Sequence, residues 1–164
     1  MSCTVQVQEI AGAPLCAEMG SEDIALFARH LNSTSHKQGD VLYREGSTDN
    51  DDLLILLEGN IEVSTEQRFE LGTTLRIQLD PGDVAGILGF VGGKPHIGTA
   101  KALTDCRVAR LPRQQFAHLC EKHGNIAISV LRFLVLALDR FSGGLVERYK
   151  DSLSFMYGAM NTKK

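Results

Sequence analysis

The chain has 164 residues, a length typical of one domain, and 43% of them are hydrophobic, which is enough for a sizeable core. Its 17 basic and 20 acidic residues leave a formal net charge of −3, which disfavours a protein that grips a nucleic-acid backbone over a wide face. The amino end lacks a basic segment followed by an apolar one, so no secretory signal is indicated and a cytoplasmic location is expected.

Two features are predicted before the first strand. Residues 1–20 show no sustained period and are expected to form an irregular tail. A short helix is predicted from Ser21, as its N-cap, to about His30, because Glu22 and Asp23 would then lie in its first turn. This helix leads into a region with a different pattern.

The region 33–111 consists of short apolar or alternating runs separated by glycines and Asp/Asn clusters. The runs are Val41–Tyr43, Leu53–Leu57, Ile61–Ser64, Thr74–Leu79, Ile97–Leu103 and Arg107–Leu111. Short strands at this spacing predict a small antiparallel barrel or sandwich rather than a parallel sheet with crossover helices. Gly46 and Gly59 fall at turns between runs, where a positive φ is accessible to glycine without steric cost.

Helical periodicity returns after Pro112, and Gly124 separates a short helix from a longer one predicted over 125–157. Only two side chains within 126–138 are polar, so the long helix needs cover on more than one side. The apolar run is too short to span a bilayer, which requires about 20 residues. Residues 158–164 are predicted to form a tail.

The long helix carries two apolar stripes. One has the four-three spacing of a coiled-coil seam and consists of Leu131, Leu134, Leu138, Phe141 and Leu145. The other consists of Ile126, Val130 and Phe133. One stripe can pack on the β domain and the other on a second copy, which predicts a homodimer, although a helix that completes one monomer core stays open. Gly143 and Gly144 interrupt the pattern and indicate a hinge or a helix end.

Other chemistry finds little support in the sequence. The four cysteines form no Cys-x-x-Cys pair, and Cys106 and Cys120, which have apolar neighbours, are predicted to be small buried side chains. No nucleophile elbow, P-loop, His-Glu-x-x-His or EF-hand pattern is present, so an enzyme is not predicted. The acidic run Asp49–Asp52 lacks a second cluster of ligands and is read as a solvated turn, so no metal site is assigned.

A group of residues resembles the signature of cyclic-nucleotide-binding domains. The first part comprises Gly39, Asp40, Val41, Leu42, Tyr43, Glu45, Gly46, Leu53–Leu57, Gly59 and Ile61, and the second comprises Pro81, Gly82, Asp83, Gly86, Leu88, Thr99, Ala102 and Leu111. The resemblance implies a mainly β fold, an antiparallel, jelly-roll-like β-roll over 21–124 with flanking short helices. The long helix resembles the dimerisation helix of catabolite-activator-type regulators.

The resemblance also places a phosphate cassette, a short helix whose backbone N–H groups face the cyclic phosphate. The ligand-binding candidates are Gly86, Ile87, Leu88, Gly89, His96, Ile97, Gly98 and Thr99. Ile87 stands where the family has a glutamate for the ribose, and His96 stands where it has an arginine for the phosphate. A hydrogen bond to a charged group contributes about 1.5 to 3 kcal/mol, so losing two such groups predicts weak cyclic-nucleotide binding.

The resemblance limits output and cofactors. Related regulators place a helix-turn-helix after the dimer helix, whereas only a short tail follows Met156, so no direct DNA binding is expected and output would pass through a partner protein or the dimer. Related sensors carry haem in this roll, but no His or Cys here stands in a motif that specifies it. No certain cofactor is predicted, and a weakly bound cyclic nucleotide is the candidate.

Two hypotheses about function remain. The first is a non-enzymatic sensor or regulatory domain in signal transduction that binds a nucleotide-like or other anionic ligand at the cassette and shifts the long helix. The second is a ligand-free dimeric interaction scaffold. The glycine-rich backbone around the cassette favours the sensor. The glycines concerned are Gly82, Gly86, Gly89, Gly92 and Gly93.

Overall fold

A computed structural model describes residues 3–65 and 76–161, with side chains for 4–65 and 76–142. The strands are β1 Cys3–Thr4, β2 Asn32–His36, β3 Val41–Tyr43, β4 Leu53–Glu58, β5 Ile61–Ser64, β6 Arg76–Leu79, β7 Val84–Ala85, β8 Thr99–Ala102 and β9 Cys106–Leu111. The α-helices are α1 Val7–Ile10, α2 Ser21–Ala28, α3 Ile87–Gly92, α4 Arg113–Lys122 and α5 Gly124–Asn161, and a 3₁₀ turn spans Pro14–Cys16.

The strands form two antiparallel sheets, which confirms the predicted fold class. One sheet has five strands in the order β1-β2-β9-β4-β7, and the other has four in the order β3-β8-β5-β6. Every strand pairing in the described residues is antiparallel. Side chains of both sheets meet in one apolar core. Its buried members are Leu42, Tyr43, Leu54, Leu56, Ile61, Ala85, Ala100, Ala102, Cys106 and Val108.

The observed strands follow the apolar runs wherever side-chain pattern determines the strand. Val41–Tyr43 and Ile61–Ser64 have the predicted bounds, and β4 and β9 differ by one residue at one end. The predicted strand Ile97–Leu103 is shorter, Thr99–Ala102, and part of Thr74–Leu79 lies outside the described residues. Strand β2 was not among the predicted runs because its five residues, NSTSH, are all polar, and it depends on pairing with β9.

The predicted irregular tail is wrong for its described part. Residues 3–20 contain β1, α1 and the 3₁₀ turn, and they bury Ile10, Leu15 and Cys16 almost completely. These apolar residues follow neither a helical nor a strand period, since Ile10 belongs to α1 whereas Leu15 and Cys16 belong to the 3₁₀ turn. A hydrogen bond from the Gln6 backbone N–H lowers the pKa of the Glu9 carboxyl. An ion pair with Arg107 of β9 lowers it further, by a smaller amount.

Two local predictions need correction. The N-cap of α2 is Gly20, and Ser21 is the first helical residue. Cys106 is buried as predicted, whereas Cys120 is exposed because α4 buries its neighbour Leu119 instead. Cys16 is also buried, and burial raises the pKa of its thiol to about 11.

Helix α5 begins at Gly124 and continues to Asn161. It passes through Gly143 and Gly144 without a break, so the predicted helix end does not occur there. The chain divides into two compact units between Val130 and Leu131. In the first unit, Ile126 and Val130 are completely buried. In the part of the chain that the structure describes, no helix is long and apolar enough to cross a membrane.

Two predicted turn glycines adopt positive φ for different reasons. Gly46 has φ 77° and Gly59 has φ 82°. A Cβ at Gly46 would have no neighbouring atom within 4 Å, whereas a Cβ at Gly59 would lie 2.4 Å from the Asp105 carbonyl oxygen. Gly59 is therefore required both by its backbone conformation and by the close approach of the chain before β9.

We expect Gly59→Ala to lower the free energy of unfolding by roughly 2 to 5 kcal/mol, since left-handed strain adds to a backbone clash. Gly46→Ala is the matched control, because it carries the strain without the clash and should cost about 1 to 2 kcal/mol. Urea denaturation followed by circular dichroism measures both. Equal losses for the two variants would contradict the contact at Asp105.

Candidate functional site

The cassette begins where strand β7 turns into helix α3. Gly86 is the N-cap of α3 and has a left-handed backbone, with φ 82°. A Cβ at this position would lie 2.8 Å from the backbone carbonyl oxygen of Asp52. Only glycine satisfies both conditions, and the helix that begins at this turn leaves its first N–H groups without intrahelical acceptors.

The cassette ends at strand β8, where two predicted site residues contact the backbone of neighbouring segments. A Cβ at Gly98 would lie 2.9 Å from the Ser64 carbonyl oxygen, so this glycine allows β5 to approach closely. The Thr99 hydroxyl accepts a hydrogen bond from the Glu45 backbone N–H at 3.0 Å. Both residues therefore have roles in holding the cassette against neighbouring strands.

His96 is the most constrained predicted site residue. Its side chain is buried, and its Nε2 lies 2.7 Å from the Asn50 carbonyl oxygen. Its backbone accepts a hydrogen bond from the Gly46 N–H and donates one to the Ser47 carbonyl. These three hydrogen bonds tie the cassette exit to the loop between β3 and β4.

Tyr43 stacks on His96, a contact that the sequence reading did not predict. The two ring centroids are 3.9 Å apart and the rings are inclined by 15°. Burial raises the pKa of the Tyr43 hydroxyl to about 12, and a hydrogen bond with the Gly86 backbone partly offsets the rise. Tyr43 belongs to the family-like signature and lies on a strand that faces the core, but neither signal pairs it with His96.

The remaining predicted site residues differ in exposure. Ile87 is half-buried and Gly89 is buried. A Cβ built at Gly89 would lie 3.4 Å from Cε1 of His96, so the ring packs closely against this glycine. Leu88 and Ile97 are exposed. The structure thus brings Gly86, Gly89 and His96 together, and it leaves the two large apolar side chains at the surface.

Two arginines next to the cassette form ion pairs with aspartates. Arg110 lies 3.2 Å from Asp52, and Arg113 lies 3.8 Å from Asp51. A cleft of about 460 Å³ is lined by Asp51, Asp52, Pro112, Arg113, Gln114 and Ala117. Among residues with described side chains, no group of three His, Cys, Asp or Glu is arranged to hold a metal ion.

A family model for the cyclic nucleotide-binding domain matches residues 33–123, which include both sheets' main strands and the cassette. The chain belongs to the cyclic nucleotide-binding domain family. The match covers more than half of the chain and confirms the resemblance that the sequence shows.

Solved structures of this family share the fold. A cyclic nucleotide-binding domain from Methylobacillus flagellatus superposes with a TM-score of 0.73 over 90% of this chain and 80% of its own, at 18% identity. The regulatory subunit of a cAMP-independent protein kinase A from Trypanosoma cruzi, bound to guanosine, has a TM-score of 0.61 and 24% identity, covering 71% of this chain and 40% of its own.

A curated relative shows the domain inside a much longer protein. The Neurospora crassa lysophospholipase nte1 is 25% identical over 119 residues, which are 73% of this chain and 7% of that protein. This chain therefore spans a small fraction of the length of that relative.

The buried Tyr43 hydroxyl makes stability depend on alkaline pH. An ordinary tyrosine ionises at about pH 10, so between that pH and about 12 the folded cyclic nucleotide-binding domain retains a proton that the unfolded chain releases. The contribution is complete below about pH 10 and is lost as the pH rises. We expect wild type to lose about 1 kcal/mol relative to Tyr43→Phe between pH 8 and pH 11.

Urea titrations of both proteins at the two pH values measure this difference. At pH 8 the variant should be the less stable by about 0.5 to 1.5 kcal/mol, since it lacks the hydroxyl that bonds to Gly86. An unchanged gap at pH 11 would contradict a raised pKa for Tyr43.

Proposed function

We propose that this chain is a non-enzymatic regulatory domain of the cytoplasm that binds a nucleotide-like ligand at the cassette and signals through a helix-mediated homodimer to a partner protein. The observation that carries the proposal is the cassette itself. Gly86 caps α3 in the left-handed conformation, and His96 from the end of the cassette lies over the same turn. The family has this arrangement for ligand binding, and no other described cluster of this chain offers a comparable set of groups.

Two findings support a ligand outside the usual cyclic nucleotides. Ile87 and His96 stand at the family's two anchoring positions, so neither a carboxylate nor a guanidinium is supplied there. The Trypanosoma cruzi relative is described as cAMP-independent and bound to guanosine. A pocket of this fold can therefore hold a purine nucleoside, and we extend that ligand class to this chain.

The homodimer is proposed from apolar side chains that the single chain leaves uncovered. Val135 and Leu136 are 64% and 60% exposed, and Leu131 is 38% exposed. Leu131, Val135 and Leu138 follow the four-three spacing of a coiled-coil seam. Removing such side chains from water contributes about 1.5 to 3 kcal/mol each before the ordering cost of association.

The seam proposed here shares only part of the stripe predicted from sequence. Leu131 and Leu138 belong to both. Leu134 is already buried within the single chain, Phe141 is half-buried, and the side chain of Leu145 lies outside the described residues. We therefore place the centre of the seam at Val135, one residue further along the helix than Leu134.

A ligand-free scaffold is the second candidate, and one observation favours it. The His96 ring is stacked on Tyr43 and hydrogen-bonded to the Asn50 carbonyl, so the side chain that the resemblance assigns to the arginine position already has partners within the protein. If this arrangement leaves no room for a ligand, the dimer helix would be the functional surface.

We expect cyclic AMP to bind wild type no tighter than high micromolar, and the double variant Ile87→Glu with His96→Arg to bind it more tightly. Restoring two charged hydrogen-bonding groups is worth about 3 to 6 kcal/mol, a gain on the order of a hundredfold to ten-thousandfold in affinity. Isothermal titration calorimetry measures both dissociation constants.

The matched control is Val91→Glu with His118→Arg, which adds the same two side chains at exposed positions of α3 and α4. This control should bind cyclic AMP no better than wild type. Submicromolar binding by wild type, or no gain in a folded Ile87→Glu/His96→Arg variant, would refute the assignment of the anchor positions.

We expect wild type to be dimeric and Val135→Asp to be monomeric, because a buried, unpaired carboxylate at the seam is strongly unfavourable. Multi-angle light scattering at matched concentration measures the mass of each. Leu136→Asp is the control, since it changes an equally exposed leucine that lies off the four-three spacing, and it should stay dimeric. A monomeric wild type, or a dimeric Val135→Asp, would overturn the proposed seam.

A further inference from the structure

The position of His96 is fixed from several directions. The ring is stacked on Tyr43, the Nε2 atom lies 2.7 Å from the Asn50 carbonyl oxygen, and only 6% of the residue is exposed. Its backbone N–H and C=O are both hydrogen-bonded to the loop that follows β3. Because the ring has one fixed orientation, its partners determine which ring nitrogen donates a hydrogen bond and which accepts one.

The Asn50 carbonyl determines which ring nitrogen carries the hydrogen. A carbonyl oxygen only accepts hydrogen bonds, so the Nε2 atom of His96 must donate and must be protonated. In the neutral imidazole, the other nitrogen, Nδ1, then carries a lone pair and acts as an acceptor.

This acceptor lies on the cassette side of the ring. A Cβ built at Gly89 would lie 3.4 Å from Cε1 and 3.7 Å from Nδ1 of His96, and a Cβ built at Gly86 would lie 3.7 Å from Cε1. The ring edge that carries Nδ1 therefore faces the first turn of α3. Phosphate oxygens are also acceptors, so an anion bonded to the free N–H groups of α3 gains no hydrogen bond from Nδ1, whereas a hydroxyl or amino group beside the ring does.

Neighbouring charges do not supply the missing cation. The guanidinium groups of Arg110 and Arg113 face the carboxylates of Asp52 and Asp51. The side chain of Lys94 runs along Gly92, with Cγ, Cδ and Cε within 4.0 Å of a Cβ built there. Gly92 is the last residue of α3, so the Lys94 stem lies at the opposite end of the helix from Gly86.

We propose that His96 is the specificity-determining residue of the cassette and that it selects an uncharged ligand with hydrogen-bond donors, a nucleoside, over the corresponding cyclic nucleotide. The inference rests on the proposed function, since it requires that the cassette binds a ligand. An arginine at this position donates to an anion, whereas the Nδ1 atom of His96 accepts from a hydroxyl or amino group. The exchange of donor for acceptor reverses the preferred ligand charge.

The test is calorimetric titration of the full chain at pH 8 with guanosine, adenosine, cyclic GMP and cyclic AMP. Each nucleoside should bind wild type at least about tenfold tighter than its cyclic phosphate, which corresponds to a difference of about 1.4 kcal/mol. His96→Arg should reverse this order. His118→Arg, which adds the same charge at an exposed position of α4, should leave it unchanged.

A second measurement addresses the wild-type protein without any ligand. Long-range proton–nitrogen NMR reports the histidine tautomers, and the His96 signals are assigned by their loss in His96→Gln. We expect the form with hydrogen on Nε2 at pH 8. Hydrogen on Nδ1 would overturn the inference even if His96→Arg fails to fold.

The outcomes separate the inference from the function on which it rests. Tighter binding of cyclic nucleotides than of nucleosides by wild type would overturn the selection by His96 and leave a ligand-binding cassette in place. Absence of binding for all four compounds at millimolar concentration would overturn the proposed sensor, and the inference with it. A tenfold preference for nucleosides that His96→Arg does not alter would show that another group sets the specificity.

Discussion

Strand β9 is the central strand of the five-stranded sheet and pairs with β2 on one side and with β4 on the other, so the positions of both neighbours depend on it. Its apolar side chains enter the core, and its two arginines form ion pairs with different parts of the chain. Arg107 pairs with Glu9 of the N-terminal segment and Glu58 of β4, while Arg110 pairs with Asp52 of the loop that contacts Gly86. The same strand therefore holds the N-terminal segment and one wall of the cassette in a fixed relation.

The contact between Asp52 and Gly86 shows how backbone packing shapes the cassette independently of the side chains that the family uses. Asp52 lies just before β4, and its carbonyl approaches so closely that a Cβ on Gly86 would clash. The turn into α3 is thus fixed by strand pairing and by glycine, and the predicted replacement of the family's anchoring residues by Ile87 and His96 is compatible with it. Ligand chemistry can change at this site without disturbing the fold.

Sequence patterns predicted those parts of the structure where the polarity or size of a residue determines its burial or backbone conformation. The run at β3 is apolar throughout and that at β5 alternates, and Gly46 and Gly59 adopt the positive φ that their turn positions indicate. Strand β2 and the N-terminal segment were missed because their conformations come from tertiary contacts, with β9 and with Arg107 respectively. Cys120 was predicted to be buried because its neighbours in sequence are apolar. It is exposed because α4 buries Leu119, and the next residue along a helix points in a different direction.

The sequence predicts where a ligand site would lie, but it does not predict the contacts of the residues concerned. The glycines and the family-like spacing identify the cassette and assign His96 to the arginine position. The Asn50 carbonyl that sets the hydrogen on His96 is 46 residues away along the chain, and no side-chain pattern encodes a backbone acceptor. Stacking with Tyr43 likewise depends on the fold, since Tyr43 is the last residue of β3 and His96 lies in the connection between α3 and β8.

The polar composition of β2 has a consequence for behaviour at high concentration. In the described chain, β1 pairs only with Asn32 and Ser33, so the outer side of Thr34–His36 has no strand beside it. Exposed strand edges recruit strands from other molecules when they are long and apolar, and short polar edges followed by a lysine discourage this pairing. The sequence NSTSHK, which carries no hydrophobic signal, thus protects the sheet against edge-to-edge aggregation while still completing it.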